Sequence, residues 1–163
     1  MYTAGVLTVS DSSAMGDVSD ESGPVIRHLL EQHGYDVLLY KTVPDEVQDV
    51  IDVLITWIDR TSLDVIVTTG GTGLSPRDIT PEATKSIIEQ KVPGIAEAIR
   101  IKGLGSTPRA MLSRGIAGVR GKTLIINLPG SPLAVAQGME VILPVLKHAS
   151  DKIKGDTTPC LKI

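Results

Sequence analysis

Leu63-Asp64-Val65-Ile66-Val67-Thr68 is β-branched and almost continuously apolar, and it runs through Thr69 into Gly70-Gly71-Thr72-Gly73. A strand with no polar face must be covered on both sides, as in the middle of a parallel sheet. Parallel strands need crossovers, and helices normally supply them. The rest of the chain reads accordingly. Ala4 to Val9 is a short apolar strand, followed by a polar loop from Ser10 to Asp20. Helical spacing of Val25, Ile26, Leu29 and Leu30 follows Ser22-Gly23-Pro24 and ends at Gly34, a residue suited to a left-handed helix terminus. Tyr35 to Val43 reads as a second strand, and Val47, Val50, Ile51, Leu54, Ile55 and Ile58 form a helical stripe ending near Arg60.

Beyond the glycine loop, Thr80-Pro81-Glu82 pairs a capping residue with Pro at the first helical position, which predicts a helix to about Gln90. A shorter helix is expected over Ile95 to Lys102. Gly115 to Leu128 reads as two strands around Gly121-Lys122, and Ser131-Pro132 repeats the cap-plus-Pro device for a long last helix to about Lys154. Residues 155–163 are expected to be a loose tail. The 163 residues fit one domain, 1–163, of α/β class: a three-layer αβα sandwich around a mainly parallel sheet. In such sheets ligands sit beyond the carboxyl ends of the strands. Those ends carry Ser10-Asp11, Pro44-Asp45-Glu46, Gly70 to Gly73 and Asn127-Leu128-Pro129-Gly130, which should share one edge.

Several function classes are disfavoured. Sixteen Lys and Arg against nineteen Asp and Glu give a net charge of −3, so there is no basic field for nucleic acid. With no Phe, one Trp and three Tyr, base stacking is nearly out of reach. One cysteine, Cys160, cannot make an internal disulfide and fits a reducing compartment. No basic segment precedes the first apolar run and no window is long enough to span a bilayer, so a cytoplasmic, membrane-free protein is expected.

The glycine loop admits two readings. Three glycines in four positions let backbone N–H groups approach an anion, or they simply make a tight turn. It lacks the Lys-Ser/Thr of a P-loop and the spacing of a dinucleotide fold. Asp45 and Asp78 both fall at the sheet mouth, where two carboxylates would repel unless they shared a cation such as Mg²⁺. Alternatively Asp45 is an N-cap, and Asp78 pairs with Arg77 or a loop amide. Asp11 either holds a ribose or a metal-bound water, or serves local hydrogen bonding. Ser113-Arg114 ends a predicted helix. His28, His33 and His148 are scattered without metal-ligand spacing, and no nucleophile elbow is present.

An ordered set of segments spans nearly the whole chain: Thr8-Val9-Ser10-Asp11, Pro44-Asp45-Glu46, Thr69-Gly70-Gly71-Thr72-Gly73, Pro76-Arg77-Asp78-Ile79-Thr80-Pro81-Glu82-Ala83-Thr84, Met111-Leu112-Ser113-Arg114 and Leu128-Pro129-Gly130-Ser131-Pro132. It resembles the molybdopterin adenylyltransferase family, the MogA-like proteins and the G domains of their plant and animal relatives, gephyrin included. The resemblance implies transfer of AMP from Mg-ATP to the terminal phosphate of molybdopterin, with release of pyrophosphate. It implies catalytic and Mg²⁺-binding roles for Asp45 and Asp78. Nucleotide and molybdopterin contacts would come from Ser10, Asp11, Gly70, Gly71, Thr72 and Gly73, with Ser113, Asn127, Pro129 and Gly130 completing the pocket wall. A homotrimer and a partner protein that inserts molybdenum are further implications. The resemblance extends to MoaB-like proteins, whose alternative role is to bind molybdopterin in the same pathway without efficient transfer, and a scaffold is a more distant reading.

Overall fold

The computed structural model describes residues 1–159. Six strands form one sheet in the order β2-β1-β3-β6-β5-β4. Of these, β1 (Tyr2–Val9), β2 (Tyr35–Val43), β3 (Val65–Thr69) and β6 (Thr123–Leu128) pair in parallel. Two short strands, β4 (Gln90–Lys91) and β5 (Ala117–Arg120), add an antiparallel edge. Gly121, at φ +56, makes the tight β5–β6 turn that the sequence places there.

Both faces of the sheet are covered, and the strands divide their side chains between them with period two. Ala4 and Val6 of β1, Val65 and Val67 of β3, and Leu124, Ile126 and Leu128 of β6 face one core, shared with Ile26, Leu30, Ile99, Val135, Met139, Ile142 and Leu146. Those partners belong to α2 (Ser22–Gln32), α5 (Pro93–Leu104) and α6 (Pro132–Ile153). Leu7, Val9, Ile66 and Ile125 face the other core with Val50, Val53, Leu54, Trp57, Ile58, Ala83 and Ile87. These come from α3 (Val47–Thr61) and α4 (Thr80–Ile87). Trp57 lies so close over β1 that a Cβ on Gly5 would fall 2.9 Å from its ring and 2.8 Å from Leu63. A glycine here gives the Trp57 ring room to pack against the strand.

The local signals mostly hold. Ser131 caps α6 by accepting from the Ala134 N–H at 3.3 Å, with Pro132 next in line, and Gly34 ends α2 at φ +81. Three expectations are corrected. A four-residue helix, α1 (Asp11–Ala14), begins the loop expected to be irregular, with Ser10 accepting from the Ser13 N–H at its start. Helix α4 stops at Ile87 rather than near Gln90, because Ile88 turns extended and Gln90–Lys91 pair with β5. Thr80 does not cap α4; its hydroxyl donates to the Gly70 carbonyl at 2.9 Å. Of the expected tail, residues 155–159 are described, and there Asp156 accepts from the Thr158 N–H and hydroxyl while Lys152 Nζ donates to the Asp156 carbonyl. Cys160 and the remainder of the tail lie outside the described residues. Among the described residues no helix is long and apolar enough to cross a membrane.

Candidate functional site

The carboxyl ends of β1, β2, β3 and β6 do share one edge, and the glycine loop is its centre. Gly70 and Gly71 take φ +94 and +63, so both sit in the left-handed region. A Cβ on Gly70 would meet the Val9 carbonyl at 2.2 Å, and one on Gly71 would meet Thr80 Oγ1 at 2.4 Å. Every carbonyl of the loop is tied to the chain. Gly70 O accepts from Thr80 Oγ1 and Gly71 O from the Thr80 N–H at 3.1 Å. Thr72 O accepts from the Arg114 N–H at 2.8 Å, and Gly73 O from Arg114 Nε at 2.7 Å. By contrast, the N–H groups of Gly71, Thr72 and Gly73 meet no protein acceptor among the described residues. Fixed carbonyls with unspent amides are the arrangement in which a glycine loop can receive an anion.

Asp45 and Asp78 flank this loop. Asp45 is not an N-cap of α3; its Oδ2 accepts from the Asp11 N–H at 2.8 Å. Asp78 Oδ2 accepts from the Ser75 N–H at 2.8 Å, the loop-amide alternative, while Arg77 pairs elsewhere. Each aspartate therefore spends one oxygen on a backbone amide and keeps Oδ1 without a protein donor among the described residues. Burial pushes the Asp45 carboxyl above its ordinary range, and the charges of Asp11 and Asp78 add to that, against the Asp11 N–H and Arg77. No cluster of three His, Cys, Asp or Glu side chains exists among the described residues. Asp45 and Asp78 are therefore carboxylates at this edge that each keep one oxygen for a ligand.

Two cavities open on this edge. One, of about 440 Å³, is polar and is lined by Ser10, Asp45, Gly70, Gly71 and Asp78 together with Asp20. The other, of about 420 Å³, is lined by Thr72, Gly73, Ser113 and Pro129, with apolar walls from Ile99, Ala110 and Ala134. Gly71, Asp78 and Gly130 border both. Two of the residues singled out in the sequence lie elsewhere. Asp11 lines neither cavity: its carboxylate is gripped by the Arg77 guanidinium at 2.9 and 3.0 Å and accepts the Asp45 N–H at 2.9 Å, which holds its carboxyl below the ordinary range. Asn127 is 2% exposed and lines neither cavity. Its amide donates to the hydroxyls of Thr68 and Thr84, both at 3.0 Å, so it fastens β6 to β3 and α4 beneath the site.

Three residues that brace this geometry were not among the expected site residues. Arg77 cross-links Asp11 and Glu46, and Arg114 reaches Gly73 O, Asp78 O and Glu82. Asp20 accepts from the N–H groups of Ser22 and Gly23, from Thr8 Oγ1 at 2.5 Å and from the Tyr40 hydroxyl, and so pins the far wall of the polar cavity. Burial alone would raise its carboxyl, yet these four donors hold it below the ordinary range. Asp20, two residues ahead of Ser22-Gly23-Pro24, was the available signal for a side chain that accepts from the first N–H groups of α2.

Comparison with known proteins places this geometry among relatives. The family described as "Probable molybdopterin binding domain" matches residues 5–148. A molybdopterin adenylyltransferase of Helicobacter pylori J99 is 41% identical over 154 residues, covering 93% of this chain and 88% of that protein. The molybdenum cofactor synthesis protein cinnamon of Drosophila melanogaster is 43% identical over 157 residues, 96% of this chain, but the chain spans only 26% of its length. The crystal structure of the molybdopterin biosynthesis enzyme MoaB from Thermus thermophilus superposes with a TM-score of 0.90 at 49% identity, covering 96% of this chain and 98% of that one.

Proposed function

This chain belongs to the molybdopterin-binding domain family, and from that membership we propose that it transfers AMP from ATP to the terminal phosphate of molybdopterin, releasing pyrophosphate. The observation that carries the reading is Asp78 at the border of two cavities, with Asp45 lining one of them, beside a loop with three unspent amides. A reaction between two bound anions needs two adjoining pockets, a cradle for phosphate and a means of offsetting charge where they meet. Support for the choice of activity comes from the Helicobacter pylori enzyme, which shares nearly its full length with this chain.

In the proposed step an oxygen of the molybdopterin phosphate attacks the α-phosphorus of ATP. The bond from that phosphorus to the bridging oxygen breaks, and pyrophosphate departs with the electron pair. The N–H groups of Gly71, Thr72 and Gly73 donate to phosphoryl oxygens and orient them, and Gly130 forms the shared wall across which the reactants approach. Because their carbonyls are already fixed, these donors need no reorganisation as charge develops. Asp45 and Asp78 would hold Mg²⁺, which when bound neutralises phosphate charge between the substrates. Asp11 and Asn127 act by bracing the site rather than by touching ligand.

The working unit is proposed to be a single domain over residues 1–163, a homotrimer acting in the cytoplasm, with a molybdenum-inserting protein taking its product. Pyrophosphate release from Mg-ATP, with and without molybdopterin, tests the reading. Turnover that requires the pterin supports it. Turnover without pterin, or tight pterin binding with no turnover, contradicts it, the latter favouring the MoaB-like binding role.

A further inference from the structure

A third cavity, of about 240 Å³, shares Arg100 with the second cavity but none of the residues given a role in the proposed reaction. Its rim carries Lys85 from α4, Lys91 from β4 and Arg100 from α5, and no carboxylate lines it. None of the three cations has an ion-pair partner among the described residues, in a chain whose net charge is −3. Arg100 spends only Nη1, on the carbonyls of Ser113 and Gly115 at 3.3 and 3.1 Å, and keeps its other nitrogens for a ligand. The floor is apolar, made by Ile88, Pro93, Ala96, Ile116 and Ala117. Cations from three elements converging over an apolar floor are costly to assemble for stability alone, because they repel one another.

We propose that this cavity binds a small organic anion: a phosphate or carboxylate held by Lys85, Lys91 and Arg100, on an apolar body seated against Ile88, Ala96 and Ile116. The volume limits the size, since drug-sized ligands occupy roughly 300–1,000 Å³. The guanidinium supplies a planar fork to the anion and the two ammonium groups supply charge without a fixed geometry. Neither charge alone nor apolar contact alone accounts for the lining.

Phenyl phosphate serves as the probe, followed by methyl NMR on protein labelled at Ala and Ile. Saturable shifts are expected at Ile88, Ala96, Ile116 and Ala117, distinct from any at Ala110 and Ala134 of the second cavity. Replacing both exposed lysines (K85Q with K91Q) should weaken binding about tenfold or more, as expected when charge-assisted contacts are lost, while the methyl spectrum without ligand stays native. Inorganic phosphate and benzyl alcohol should each bind about tenfold or more weakly than phenyl phosphate, the loss expected when either half of the contact is missing. Shifts confined to Ala110 and Ala134, absence of saturation, equal binding by inorganic phosphate or by benzyl alcohol, or unchanged affinity in the natively folded lysine variant would each overturn the proposal.

Discussion

Replacing Arg114 with Met keeps most of the side-chain length and removes the guanidinium that holds the glycine loop in place. Two donations are lost, to Gly73 O and to Asp78 O, each at 2.7 Å. Hydrogen bonds to charged groups contribute about 1.5–3 kcal/mol each. The arginine side chain is 34% exposed, so the low end applies, about 3 kcal/mol for the two. The ion pair with Glu82 adds little, because that carboxylate is 53% exposed and surface pairs are worth about 0–1 kcal/mol. Partial rescue of the carbonyls by water brings the expected loss to about 2–3 kcal/mol. For a domain of this size the melting temperature should fall by about 5–10 °C. The backbone N–H of Arg114 still holds Thr72 O, so the loop loosens at Gly73 and Asp78 rather than collapsing. Turnover in pyrophosphate release should therefore fall further than stability predicts, and Arg114→Lys should recover part of the melting temperature but less of the turnover, because an ammonium cannot span two carbonyls and a carboxylate as a fork does. A melting temperature within about 2 °C of wild type, less than about 1 kcal/mol on the same scale, would refute the reasoning.

Three further outcomes follow from named contacts. Gly71→Ala places a Cβ 2.4 Å from Thr80 Oγ1 at φ +63, so a thermal melt should show destabilisation on the order of 1–3 kcal/mol along with weakened nucleotide binding. Asn127→Ala leaves the hydroxyls of Thr68 and Thr84 without their donor in a buried site and should cost about 2 kcal/mol in chemical denaturation, with KM unchanged because the residue borders neither cavity. The Asp45 carboxyl, raised by burial and by its acidic neighbours, should titrate above the ordinary aspartate value in a carbon-detected NMR titration without metal, and Asp78→Asn should move it down by removing one neighbouring negative charge. Because its folded value is raised, Asp45 disfavours folding as pH rises through its titration range, so metal-free protein should gain stability there when Asp45 is replaced by Asn.

Sequence reading succeeded where the physics is local. The limits of β2 at Tyr35 and Val43, the Ser131-Pro132 opening of α6 and the left-handed Gly34 are set by neighbours in the chain, and a single sequence carries those neighbours. The shared edge of strand ends followed from the alternation of elements. What failed was long-range. The early end of α4 depends on pairing of Gln90 and Lys91 with a strand some thirty residues on. Asp11, open to a ligand role or to local hydrogen bonding, pairs with Arg77 66 residues away, a partner that no local signal announces. Asn127 occupies a strand end, but its side chain lies between strand and helix, on partners 59 and 43 residues distant. Arg114 sits in the Met111-Leu112-Ser113-Arg114 segment, but only the closed fold brings it to Gly73.

The carboxylate pair decides between catalysis and binding. Asp45→Asn and Asp78→Asn each retain an oxygen able to accept the backbone N–H of Asp11 or Ser75, so folding should persist while one metal-binding charge is lost. Pyrophosphate release from Mg-ATP is measured while molybdopterin is titrated into wild type and each variant. Pterin-dependent turnover is expected in wild type, with a loss on the order of 10² or more in each variant, the scale of removing one electrostatic group from such a transition state, and with molybdopterin affinity held within several-fold. Wild-type turnover in both variants, or no pterin-dependent release from the unmodified chain, would contradict adenylyl transfer at this site.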